Sequence, residues 1–431
     1  MKYYVLVDDK RIKCLFDYET IIILFERLND WKIVNRTWVD VCSIDAKDNI
    51  VDTFCCYICL SEFGDDWTDG TRRFDIICRY SKTGENIKSI EIVAHALTNF
   101  FNIGSDNRNV GQIYKTNIKI GTIDYLLTVS NESDPMFSID FMNRNLISTR
   151  CLVTCKEFIS NDELLIIIKY FKRLLQFVTI GTETDIGTIK LIFQSNRTTY
   201  LIMNESSESV SKKEKHYIPF LFFGENKDNL FDFVNHYFRR PYAVFFNEKS
   251  GFHESQIPSV IGEFEYIFDK TIKNDSNYKL LIKKKKEIIH YSDLKKTIVK
   301  FQKDHNIKDE DYSDFMSLFS AYSIPLKERI DYVFKEMVAI LNLKPYDFGF
   351  GRTVVDFANR QSAVRTGIAH GRNNNVSEVV KSIYTIEIFQ ELIYYMIVKY
   401  SIKCSNEEIR NIFNCYYFKS LNLECSLLED K

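Results

Sequence analysis

The stretch Ile257–Phe268, IPSVIGEFEYIF, is where the chain changes character. Its residues Ile257, Val260, Ile261, Phe264 and Phe268 recur three and four apart, so they line one face of an amphipathic helix. Before this stretch the period is mostly two. Arg36–Ile44, Ile50–Leu60, Arg73–Tyr80, Ile113–Val129, Ile147–Thr154, Ile189–Gln194 and Thr198–Met203 are short β-rich runs separated by turns. Asp69-Gly70 lies between two of them and suits a hairpin turn, because glycine accepts the positive φ such turns need. One helix interrupts the pattern, Asp162–Phe177, with Leu164, Ile167, Ile168, Phe171 and Leu175 at helical spacing. Ser206–Lys215, whose one apolar residue is Val210, reads as an exposed loop.

Beyond about residue 250 the period stays near 3.6. Ile330, Val333, Phe334, Met337 and Leu341 form a second helical stripe, with Pro325 at its start, where a missing N–H costs nothing. A third helix is expected over 352–369. A fourth is expected over 376–400, with Phe389, Leu392, Ile393, Met396 and Ile397 as its stripe and Asn375 with Glu378 as a capping box. Four such helices make a bundle. The fold class is therefore α+β: a β-rich domain over 1–245, followed by an all-α helical bundle over 246–431.

Composition excludes several classes. Hydrophobic residues are 45% of 431, which rules out wholesale disorder. A net charge of −2 argues against a globally basic nucleic-acid coat. Asp8 and Asp9 fall where a signal peptide needs an apolar stretch, and no apolar run reaches the length of a membrane span. With eleven Cys, the expectation is a cytoplasmic protein with reduced thiols and no membrane partner.

Several motifs fail on their neighbours. Gly181–Lys190 lacks the Gly-Lys-Ser/Thr of a phosphate loop, and His253-Glu254 has Ile257 where a zinc-protease helix needs His. Asp347-Phe348-Gly349 lacks the other kinase loops. Cys56 with Cys59, and Cys151 with Cys155, lie in strand-like runs, where core packing competes with a zinc site and is favoured.

One constellation remains, Arg365-Thr366-Gly367-Ile368-Ala369-His370. With seven His in the chain, chance alone supplies about one Arg–His pair at such spacing, so the string by itself is weak. Position strengthens it. Residues five apart on an unbroken helix point about 140° apart. The pair can meet only where the helix ends, and Gly367 and Gly371 bracket that place. An arginine there can hold a phosphate through two parallel hydrogen bonds, and a histidine there can move protons near neutral pH. Together they are the minimum for a ribonuclease without metal or cofactor, and Arg372 is the next cation along.

An R-x4-H at the end of the penultimate bundle helix, followed by a long final helix, resembles the HEPN ribonuclease superfamily. The layout of a β-rich half before such a bundle is similar to the ApeA-like proteins of bacterial anti-phage defence. The helical resemblance covers about residues 250–431; the N-terminal half shares layout only. It implies a metal-independent, homodimeric endoribonuclease of abortive infection, joined through the helical domain. Arg365 and His370 would act together on RNA at the dimer interface. Many members carry Asn or another strongly polar residue after the arginine; this chain has Thr366, which still offers a hydrogen bond. The N-terminal half would be the sensor or regulatory part, with a phage-derived trigger.

Two further features keep two readings each. Lys270–Lys303 holds eleven Lys against three acids, a local net of +8 that includes Lys283, Lys284, Lys285 and Lys286. It is either a phosphate-tracking surface, with Tyr278, His290 and Tyr291 interleaved, or a solvated helix face backed by Leu280, Leu281, Ile282, Ile288 and Ile289. Glu263 and Glu265 either approach the motif or form surface ion pairs. For the whole chain, the alternative to a nuclease is a non-catalytic binding or dimerisation bundle, with the N-terminal half as the functional part.

Overall fold

The computed structural model describes residues 2–7, 10–17, 19–24, 36–60, 71–102, 111–133, 147–179, 186–203, 218–236, 256–273, 275–288, 290–308, 325–342, 386 and 389–416. The chain forms two compact units. One is Met1–Pro219 with Val234–Phe238, and the other Phe220–Phe233 with Arg239–Lys431. The first is β-rich and the second helical, so the class is α+β.

The first unit opens with a closed barrel of six antiparallel strands: β1 (Lys2–Val7), β2 (Lys10–Phe16), β3 (Thr20–Leu24), β4 (Thr37–Ile44), β5 (Ile50–Leu60) and β6 (Thr71–Ser81). Pairing runs β3-β2-β1-β4-β5-β6, and β3 then pairs with β6 through Ile21 opposite Phe74. Closure leaves no free edge among these six. Their inward residues fill the interior: Val5, Ile12, Cys14, Ile21, Val39, Val41, Cys56, Ile58, Phe74 and Ile76. Phe16 lies beside them with its ring 5.2 Å from that of Tyr3 and 5.7 Å from that of Phe54. The expected run Ile50–Leu60 is β5 as predicted, and Cys56 is a barrel core residue. Between β2 and β3, the Asp17 carboxylate accepts hydrogen bonds from the Glu19 and Thr20 amides at 2.8 and 2.6 Å.

A second antiparallel sheet follows: β7 (Ile87–Val93), β8 (Gly111–Ile120), β9 (Ile123–Ser133), β10 (Ile147–Ile159), β11 (Thr188–Phe193) and β12 (Thr198–Met203), in the order β12-β11-β7-β10-β9-β8. β12 also pairs with β6, joining sheet to barrel. The predicted single run Ile113–Val129 is two strands, because Gly121 adopts φ 66° and turns the chain between Ile120 and Ile123. Helices α1 (His95–Asn102) and α2 (Asn161–Val178) belong to this unit. Ser160 and Glu163 form a capping box that starts α2, worth about 1 kcal/mol. The whole predicted stripe of α2 is core: Leu164, Ile167, Ile168, Phe171 and Leu175 are buried.

The helical unit holds a 3₁₀ turn (Phe220–Phe223), most of α3 (Lys227–His236), α4 (Gln256–Thr271), α5 (Ser276–Ile288), α6 (Tyr291–Asp304) and α7 (Leu326–Leu341). The helix over 389–396, α8, closes in a π-helical turn at Ile397–Ser401, and α9 (Asn406–Tyr416) ends the described chain. Three of the predicted stripes are core: Val260, Ile261, Phe264 and Phe268 of α4; Ile330, Val333, Phe334 and Met337 of α7; Phe389, Leu392, Ile393 and Met396 of α8. Phe264 meets Phe389 edge-on at 5.3 Å. Pro325 is the N-cap of α7, and Asn342, at φ 53°, ends it. The expected helix over 352–369, the capping box at Asn375 and Glu378, and the loop Ser206–Lys215 lie outside the described residues.

Candidate functional site

Arg365, Thr366, His370 and Arg372 also lie outside the described residues. The rest of the helical unit offers three polar features: its buried charges, a cluster on α7 and α8, and the lysine-rich pair α5–α6.

Two carboxylates sit in the helical core. Glu263 of α4 is 7% exposed and Glu391 of α8 is 2% exposed. Phe264, next to Glu263, and Phe389, two residues before Glu391, are the rings in contact between these helices. Surface ion pairing, one of the two expectations for Glu263, therefore does not hold. Glu263 flanks the apolar stripe of a helix that packs over a wide arc, and Glu265 on the other flank is half-buried. Taking a carboxylate out of water costs several kcal/mol unless it is paired or hydrogen-bonded. Both groups have interaction partners. This burial has no sequence signature, because a charged residue beside a stripe reads as solvent-facing.

A second polar centre joins α7 to α8. The Lys399 ammonium donates to Glu336 at 2.5 Å, and the Tyr400 hydroxyl donates to the same carboxylate at 2.6 Å. Lys399 also lies 3.3 Å from the Tyr395 hydroxyl. Lys399 and Tyr400 fall in the π-helical turn, whose extra residue per turn lets consecutive side chains reach one acceptor. Burial, with Glu336 next, pushes the Tyr332 hydroxyl up to about 12, so it remains a neutral donor. The arrangement is rich in hydrogen bonds and locks two helices.

The lysine run divides by helical phase. Tyr278 is buried between Phe268 and Tyr332, at 5.0 and 5.6 Å. Tyr278 is thus a core residue and not an interleaved surface ring. Lys285, two turns on, shares its inward face and pairs with Glu328 of α7. Lys286 is half-buried, whereas Lys283 and Lys284 are exposed. Leu280, expected to back the lysines from the opposite side, is 55% exposed and shares their outer face. On α6, Lys295, Lys296, Lys300 and Lys303 are all exposed. His290 is exposed at φ 46° and opens α6.

Among the described residues no cluster of His, Cys, Asp and Glu could hold a metal ion, and no helix is long and apolar enough to cross a membrane. No family model, curated protein or solved structure matches the chain.

Proposed function

We propose that the helical unit is a HEPN-type, metal-independent endoribonuclease, acting as a cytoplasmic homodimer in anti-phage abortive infection. The observation that carries this reading is the Arg365–His370 spacing in the sequence, with Gly367 and Gly371 beside it where the periodicity predicts a helix to end, ahead of the apolar stripe of α8. The exposed lysines of α5 and α6 supply the cationic surface that an RNA substrate needs.

In this reaction His370 removes the proton of a ribose 2′-hydroxyl. The 2′-oxygen attacks the adjacent phosphorus, and the bond to the 5′-oxygen breaks. The partner's His370 protonates the leaving oxygen, which is why two copies are needed. Arg365 holds the non-bridging oxygens as charge builds on them, and Thr366 adds a hydrogen bond. The products are a 2′,3′-cyclic phosphate and a 5′-hydroxyl. The nucleophile belongs to the substrate, so the substrate is RNA and not DNA. The β-rich unit is the sensor, and a phage-derived trigger is its input.

Incubating the purified chain with total RNA in EDTA tests this. Cleavage with cyclic-phosphate ends is expected, together with a dimer by sedimentation. Intact RNA across substrates and triggers would leave the helical unit as a binding or dimerisation module. Full cleavage by a protein that stays monomeric would remove the two-copy mechanism.

A further inference from the structure

Phe301 of α6 is 54% exposed, and its ring stacks on that of His305, with centroids 4.0 Å apart and planes 26° from parallel. The His305 Nδ1 lies 3.0 Å from the Phe301 carbonyl oxygen. A carbonyl only accepts, so Nδ1 carries the proton and the imidazole is held in place over the phenyl ring. This exposed flat pair lies on a helix that also exposes Lys295, Lys296, Lys300 and Lys303. Leu294, 46% exposed and two turns before Phe301, continues the same stripe. Lys295 and Lys300 stand on opposite flanks of that stripe, each about 100° from it. Asp293 and Asp304 lie on the Lys300 side and the half-buried Ile298 and Gln302 on the Lys295 side, so each flank offers the stripe one exposed lysine.

We propose that the Phe301–His305 pair is a stacking platform for an unpaired base of single-stranded RNA, with Lys295 and Lys300 taking the neighbouring phosphates. This rests on the reading of the chain as RNA-acting and names residues outside the cleavage motif that hold the strand. Every base has a π face, so the contact tolerates any sequence, as a general RNase needs. The apolar stripe exposes only Leu294 and Phe301, far below the roughly 800 Å² per partner of a stable protein interface.

The test is fluorescence anisotropy with the full chain and a labelled 2′-O-methyl oligoribonucleotide of about twelve residues, within the usual site size of single-strand binders. This probe lacks the 2′-hydroxyl, so binding is measured apart from cleavage. Phe301→Ala should weaken binding about 10-fold with unchanged melting, whereas Phe301→Trp should retain it and show quenched indole emission when RNA binds. Unchanged affinity in Phe301→Ala overturns the proposal. So does an equal loss of binding to heparin, which has no bases, or a loss confined to phosphatidylserine vesicles. If Phe301 governs binding but the wild-type chain cleaves no RNA, the nuclease reading fails and the platform stands. Cleavage with Phe301 irrelevant gives the reverse.

Discussion

The barrel-and-sheet unit and the helical unit differ in which charges they bury: an arginine in the first, two carboxylates in the second. In the first, charge stays local: Asp17 and Asp45 satisfy the backbone of their own turns, and Arg150 bridges Glu91 and Glu132 across neighbouring strands. Its buried thiols are held neutral by their surroundings. In the second, two carboxylates enter the core while Leu280, Leu294 and Phe301 point outward among lysines. Both features oppose the ordinary sorting of apolar groups inward and charges outward; the first unit shares them in Arg79, 7% exposed, and in Leu15 and Tyr200, each 57% exposed, but among its described residues it buries no carboxylate. Such conflicts are expected where function constrains sequence. Under the proposed function the first unit is the scaffold and sensor, and the second carries the chemistry.

The largest expected effect tests the scaffold half. Phe74 is 1% exposed and faces Ile21 across the pair of strands that closes the barrel. Phe74→Ala should cost about 3–5 kcal/mol, through reduced burial and the cavity left behind. Denaturant titration followed by tyrosine and tryptophan emission would measure it. RNA cleavage per folded molecule should be unchanged without the trigger. A loss of basal cleavage with stability intact would place chemistry in the barrel and erase this division of labour.

Next is His370→Ala, which should reduce cleavage at least about 100-fold, the range for removal of a general acid–base group. Melting temperature and dimer mass should not change, because a side chain beside Gly371, where the sequence predicts a helix to end, contributes little packing. A large fall in melting temperature would make His370 a structural residue, and the helical unit would lose its claim to the chemistry.

How much of this was legible in the sequence follows the same division. β-rich runs bounded by turn residues, such as Ile50–Leu60 after Asn49 and Thr198–Met203 after Asn196, were readable to the residue. The hairpin at Gly121 was not, because isoleucines stand on both sides of it and hide the turn. Barrel closure was also hidden, since β3 and β6 are about fifty residues apart and local pattern carries no long-range pairing. The strands β1 to β3 carried a usable signal, Ile12, Cys14 and Phe16 alternating with charged residues and Leu15, that short length obscured. In the helical half, stripes were legible and exceptions to them were not. Glu263 looked solvent-facing beside its stripe, and the outward turn of Phe301 leaves no local mark.

A smaller effect concerns pH. Burial pushes the thiols of Cys14 and Cys78 up to about 12 and that of Cys55 up to about 11, in the β-rich unit, and Cys404 of the helical unit up to about 12. An unfolded thiol ionises near 8.5. Below that value both states hold the proton and these groups do not affect folding. Above it the unfolded chain releases protons that the native chain retains, so stability should fall as pH rises from about 9 toward 12. Denaturation midpoints at pH 8 and about 10 would show it, and Cys55→Ser should reduce the difference. A flat profile would mean that these thiols ionise in place, which would give the scaffold unit reactive groups.

The smallest effect falls within a single run of four lysines. Lys283 and Lys284 point outward, whereas Lys285 is committed to Glu328 on α7. Each lysine that no longer meets a phosphate of single-stranded RNA should lower the slope of log affinity against log salt by about 0.7. Replacing Lys283 and Lys284 together with Glu should therefore flatten that slope by about 1.4 and raise KM, with the cleavage ends unchanged. Lys285→Glu should leave the slope alone and instead destabilise the chain, because two carboxylates would then face each other across α5 and α7. If all three positions change the slope equally, inward and outward lysines act alike and helical phase is irrelevant to RNA binding. If none does, the strand enters elsewhere, and Arg352, Arg360 and Arg372 around the motif become the cations to replace.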